Sequence, residues 1–171
     1  MTSLLRTLQA SILVALFAAG CGRSEQAAET SRDVPADASY LLTAEPQGAT
    51  GVAEARQADA ENVTVIGRVG GSPNPFVEGM AAFTIVDPKI PHCAAEEGCP
   101  TPWDYCCTKN QLADNMALVK VIDSQGRPVA SDARELLGIR GLSVVVVKGE
   151  SQRDGEGNLT VLAEQIYVKS S

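Results

Sequence analysis

The chain has 171 residues, of which 44% are hydrophobic, with a mean hydropathy of zero and a formal net charge of −7. That composition excludes a polytopic membrane protein and leaves room for one core of ordinary size. Acidic residues outnumber basic ones by 21 to 14, a single histidine excludes mechanisms that need two, and 4% aromatics leave few interface anchors.

Residues 1–9 carry one positive charge, Arg6, and no acidic group; an apolar run follows over residues 10–19. The run is shorter than the roughly 20 apolar residues a spanning helix needs, and it has the size and order of a secretory signal peptide. Ala18-Ala19-Gly20-Cys21 resembles the bacterial lipobox, in which small residues precede a cysteine that is diacylated and becomes the new N-terminus. The resemblance implies an exported bacterial lipoprotein, held to a membrane of the cell envelope through Cys21 without spanning it. Loss of residues 1–20 removes Arg6 alone, giving a mature charge of −8 (13 basic minus 21 acidic).

Residues 21–61 are rich in Ala, Glu, Asp, Gln, Ser and Thr, with apolar groups such as Tyr40, Leu41 and Leu42 isolated among them. Such a stretch buries too little apolar surface to offset its ordering entropy, so it reads as a flexible tether. The Ala and Glu content of 50–61 also allows a helix there.

From Asn62 the pattern turns to strands separated by turns. Residues 62–69 alternate, with Val63, Val65 and Val69 on one face; 70–75 is a Gly- and Pro-rich turn. Residues 80–87 form a second strand with Phe83 and Ile85 on one side, and 116–123 a third. Residues 131–138 predict a short helix: Asp132 and Glu135 have capping-box spacing, and Gly138 is placed to end it. Two strands follow, over 142–148 and 158–168, with 149–157 read as a polar hairpin loop. Four consecutive valines, 144–147, predict a strand buried on both faces.

The order of three strands, a helix and two strands over residues 62–171 resembles the OB-fold, a five-stranded Greek-key barrel. The resemblance implies a mainly β barrel that can present a surface to nucleic acid or oligosaccharide. Nucleic acid is not expected as the partner. The second and third strands offer one aromatic, Phe83, and one cation, Lys120, where single-strand binding needs stacking platforms in a basic groove.

Residues 88–115 are a long polar insertion between the second and third strands. Within sixteen residues, 92–107, it holds the only histidine, His92, the only tryptophan, Trp103, and four of the five cysteines. Two readings stand for Cys93, Cys99, Cys106 and Cys107. An oxidising compartment favours two disulfides, Cys93–Cys106 with Cys99–Cys107 or the crossed arrangement, because a bridge between neighbours Cys106 and Cys107 is strained. Alternatively the thiolates, with His92 as a fifth candidate, bind zinc or copper(I). Against one shared ion stand a spacing unlike a CxxC knuckle and the tendency of adjacent Cys106 and Cys107 side chains to diverge. A redox-active disulfide is a further possibility, as is a partner-docking loop in which Trp103, Asp104 and Tyr105 touch an unknown envelope protein. The chain lacks GxSxG, HExxH, P-loop and dinucleotide-binding motifs; His92 and Cys93 are a conceivable catalytic pair, but adjacent residues seldom present an aligned base and nucleophile. The expected function is non-catalytic: binding or structural.

Overall fold

The computed structural model describes residues 37–170. Five strands close into a barrel: β2 (Asn62–Val69), β3 (Ala82–Val86), β4 (Met116–Val121), β5 (Val144–Arg153) and β6 (Leu159–Val168). The ring runs β2-β3-β4-β6-β5 and returns to β2, with β4 and β6 parallel and the other four pairings antiparallel. Closure removes free sheet edges, and the one parallel pair is reached because β5 leaves the far side of the barrel before β6 returns beside β4. This is the mixed five-stranded, OB-like barrel that the element order implies. Cys21 and the segment before it, read from the sequence as a signal peptide, lie outside the described residues.

The period-2 faces read from the sequence point where expected. Val65, Val69, Phe83, Ile85, Val145 and Val147 are all fully buried in one core with Val119, Val161 and Ile166. Val146, on the opposite face of β5, is fully buried as well, so the valine run is covered on both sides. Helix α4 (Ala133–Leu137) sits between β4 and β5 and adds Ala133, Leu136 and Leu137 to the core. Asp132 caps it, with Oδ1 accepting from the backbone N–H of Arg134 at 2.8 Å rather than from that of Glu135, and Gly138 ends it at φ 65°.

Two expectations need correction. Residues 149–153 are not hairpin loop but the second half of β5, which continues past a register shift between Lys148 and Gly149. The strand continues because Gly149 lets the Leu162 carbonyl approach to where a Cβ would stand only 1.9 Å from its oxygen.

The second correction concerns the tether boundary at 61. Within residues 37–61, α1 (Asp37–Tyr40), β1 (Thr50–Gly51) and α2 (Val52–Gln57) dock on the barrel, β1 parallel to β2. Val52 and Ala55 are buried in the main core, and Tyr40 and Leu41 pack against it. Few as they are, these apolar groups act together with polar anchors. The buried Asp87 accepts from the Ala53 N–H at 3.1 Å, and Arg153 donates to the α2 carbonyls of Ala55 (2.8 Å), Arg56 (3.3 Å) and Ala58. Composition averages over such long-range partners and so reads the stretch as unanchored. Trypsin is accordingly expected to spare the bond after Arg56, whose guanidinium donates to the Met116 carbonyl at 3.2 Å. N-terminal sequencing of the resistant fragment checks this; a fragment beginning at Gln57 would show α2 to be detachable.

Candidate metal centre

The insertion leaves the barrel at the end of β3 and returns at β4, with its neck closed by the Asp87 N–H donating to the Asn115 carbonyl at 2.8 Å. It is not without a core. Val86, Ile90, Tyr105 and Leu112 form a second apolar cluster, joined by Met116 and Leu142. Tyr105 is fully buried, which corrects its reading as an exposed contact residue; the only polar atom of its side chain is buried without a hydrogen-bond partner. Burial pushes its phenol pKa up, with Arg68 acting in the opposite sense.

Local chemistry sets the turn that presents the cysteines. Pro102 opens a short 3₁₀ turn, Pro102–Asp104, and Tyr105 follows it in the left-handed region at φ 55°. Asp104 positions the turn. Its Oδ2 accepts from the Thr101 hydroxyl, and its Oδ1 accepts from the Cys106 N–H at 2.9 Å. Tyr105 and Leu142 are the two non-glycine residues with positive φ among those described, and both belong to the second cluster. Backbone strain of order 1–3 kcal/mol per residue is thus concentrated beside the cysteines, where tertiary packing holds it.

The result is convergence. The four sulfurs lie within 4.8 Å of one another. Cys106 stands 2.9 Å from Cys99, 3.4 Å from Cys93 and 3.8 Å from Cys107, and Cys99 is 3.9 Å from Cys107. The expected divergence of the neighbouring Cys106 and Cys107 does not occur: their sulfurs stand 3.8 Å apart, and the left-handed turn at Tyr105 delivers the pair together to Cys93 and Cys99. No disulfide joins these cysteines; all four thiols are free. A tetrahedral ion with metal–sulfur bonds of about 2.3 Å sets sulfur–sulfur edges of about 3.8 Å, the scale of this cluster.

Proton sharing within the cluster follows from the same geometry. The Cys107 backbone N–H holds the Cys93 thiol below its usual pKa, against its burial. The Cys99 thiol is pushed up, chiefly through its hydrogen bond to Cys106, and Cys107 is pushed up to about 11, chiefly through its bond to Cys93. The geometry thus favours charge on Cys93 and opposes it on Cys99 and Cys107. A cation is what lets several ionise together.

His92 is not part of the cluster. Its ring is exposed, with Nδ1 donating to the Cys93 carbonyl at 3.0 Å and its edge against Tyr105. Trp103 is half-buried: its Nε1–H donates to the Pro73 carbonyl at 3.1 Å, and its own carbonyl accepts from the Gly71 N–H at 2.5 Å. The Gly70-Gly71 pair, which the sequence shows only as a turn, is thus the dock for the insertion. A Cβ on Gly70 would stand 2.5 Å from the Trp103 carbonyl oxygen and 2.8 Å from the Tyr105 ring. Gly70→Ala is therefore expected to lower stability by about 1–3 kcal/mol and shift tryptophan emission to the red, while far-UV circular dichroism keeps the barrel signature. Unchanged emission and melting temperature would count against this docking.

A scan of protein-family models and a search of curated proteins find no match to this chain.

Proposed function

We propose that this is a metal-binding barrel protein in which Cys93, Cys99, Cys106 and Cys107 hold one thiophilic ion. The observation that carries the reading is the gathering of four free thiols within 4.8 Å on a loop that packing and hydrogen bonds hold in shape. Zinc fits best. Four sulfurs form a closed set with no open position for substrate, as in structural zinc sites, and copper(I) is the competing soft ion. The centre would fasten the insertion to the barrel, a binding or structural role rather than catalysis. The lipobox-like segment ending at Cys21 supports display of this barrel on an envelope membrane.

The disulfide reading has a specific observation in its favour. The contacts Cys93–Cys106 and Cys99–Cys107, at 3.4 and 3.9 Å, match one of the two pairings expected for an oxidising compartment. Elemental analysis and thiol counting on protein isolated from its own envelope separate the two. About one equivalent of zinc or copper, with thiols released by chelation in denaturant, is the expected result. Absent metal together with no titratable thiol would overturn it.

A further inference from the structure

Sulfurs close enough to share one ion are also close enough to bond to one another. Cys93 stands 3.4 Å from Cys106 and Cys99 stands 3.9 Å from Cys107, two contacts with no cysteine in common. A disulfide bond is about 2.0 Å long, so each pair needs to close by less than about 2 Å, which side-chain rotation can supply. From this geometry we infer that the cysteine centre is a redox switch: it holds zinc while its thiols are reduced, and a peroxide converts it to two disulfides and sets the ion free. The switch rests on the metal reading proposed above. Ligation and disulfide pairing then become two states of one site rather than rivals.

Burial sets the order of events. Cys107 is exposed, Cys99 and Cys106 are half-buried, and Cys93 is buried. A thiolate is oxidised where the oxidant can reach it, so the first attack falls on Cys107. Its sulfur attacks one peroxide oxygen, the O–O bond breaks, and the departing hydroxide is protonated to water. The Cys99 thiolate then attacks the oxidised Cys107 sulfur; the S–S bond forms, the S–O bond breaks, and a second hydroxide leaves as water. With two ligands withdrawn the ion is lost. Cys106 takes a second peroxide in the same way, and the buried Cys93 closes its bridge. In total four thiolates give up four electrons, and two peroxides take up four protons from solvent and become four waters. Zinc leaves with its charge unchanged.

The change is reversible because the fastenings of the insertion use none of the four sulfurs. Its neck is the Asp87 N–H to Asn115 carbonyl bond, and Trp103 is docked through the Gly71 N–H and the Pro73 carbonyl. Beneath the turn lie Val86, Ile90, Tyr105 and Leu112. These contacts keep the cysteines near one another while the sulfurs change partners, so a dithiol reductant can restore the ligand set by thiol–disulfide exchange.

The test takes the full chain, reduced and loaded with zinc, and adds hydrogen peroxide in the presence of a chromophoric zinc indicator. Release of about one equivalent of zinc is expected, with loss of all four reactive thiols. The intact mass should fall by the four hydrogens of two bridges. Dithiothreitol followed by zinc should reload the same chain, and far-UV circular dichroism should keep the barrel signature throughout. With dimedone present, the first trapped sulfenic acid should map to Cys107. Zinc retained under peroxide, sulfinic acids or inter-chain bridges in place of the two disulfides, first trapping at Cys93, or failure to reload after reduction would each overturn the switch while leaving the metal site standing. A reduced chain that takes up no zinc would instead sink the metal reading, and the switch with it.

Discussion

Val145→Asp is expected to abolish folding of the barrel. Val145 is completely buried near the start of β5, paired with Gly67 of β2 on one side and Val168 of β6 on the other. Its side chain belongs to the main core with Val65, Phe83 and Ile166, where among the described residues no buried cation stands ready to pair with a carboxylate. An unpaired charge or a forced neutral acid there costs several kcal/mol, comparable with the whole stability of a domain of this size, typically about 5–15 kcal/mol. Lys148→Asp provides the control, since Lys148 lies three residues along the same strand and is exposed. Far-UV circular dichroism and the soluble yield of both variants decide the matter. A soluble, cooperatively melting Val145→Asp protein would show that this core does not exist.

The second large effect concerns metal. Cys106 makes the contacts to the other three sulfurs at 2.9, 3.4 and 3.8 Å, so it is the centre of the cluster. Structural zinc sites bind with about 10–16 kcal/mol at neutral pH; an even share for one of four ligands is about 2.5–4 kcal/mol. Cys106→Ser should thus lower zinc affinity on the order of a hundredfold to a thousandfold, measured by competition with a chromophoric chelator. The barrel should survive, because Cys106 is only partly buried and belongs to neither apolar cluster. Hydrogen exchange should rise across 88–115 and stay slow in β2, β5 and β6. Undiminished zinc affinity in Cys106→Ser would remove this cysteine from the ligand set.

Much of the barrel was legible in local pattern. Alternation at Val63, Val65 and Val69, the valine run in β5, and the cap and stop of α4 at Asp132 and Gly138 are short-range signals. They depend on the faces of single elements, and the structure keeps them. The clustering of cysteines was legible too, as composition within a short window. Their geometry was not. Where the Cys106–Cys107 pair is delivered relative to Cys93 and Cys99 depends on the backbone conformation at Tyr105, a residue type that rarely adopts positive φ. What holds it there is burial against Val86, Ile90 and Leu112, from both ends of the insertion.

The stretch before Asn62 shows the same limit from the other direction. Its composition is poor in apolar residues, yet Val52 and Ala55 fill core positions because Asp87 and Arg153, 34 and about 97 residues away, satisfy the backbone ends of α2. Trp103 and Tyr105, equivalent on the sequence as aromatic loop residues, separate in the fold into a cleft wall and a buried core group. Periodicity and end signals by themselves determined the strands, the helix between the third and fourth of them, and a cysteine-rich insertion. Tertiary structure alone decided that four thiols meet at one point, that residues 37–61 contribute docked elements, and that a cleft opens beside Trp103. The physical reason is range: these outcomes rest on bonds such as Gly71 to Trp103 and Asp87 to Asn115, which join segments about 30 residues apart and leave no local periodicity.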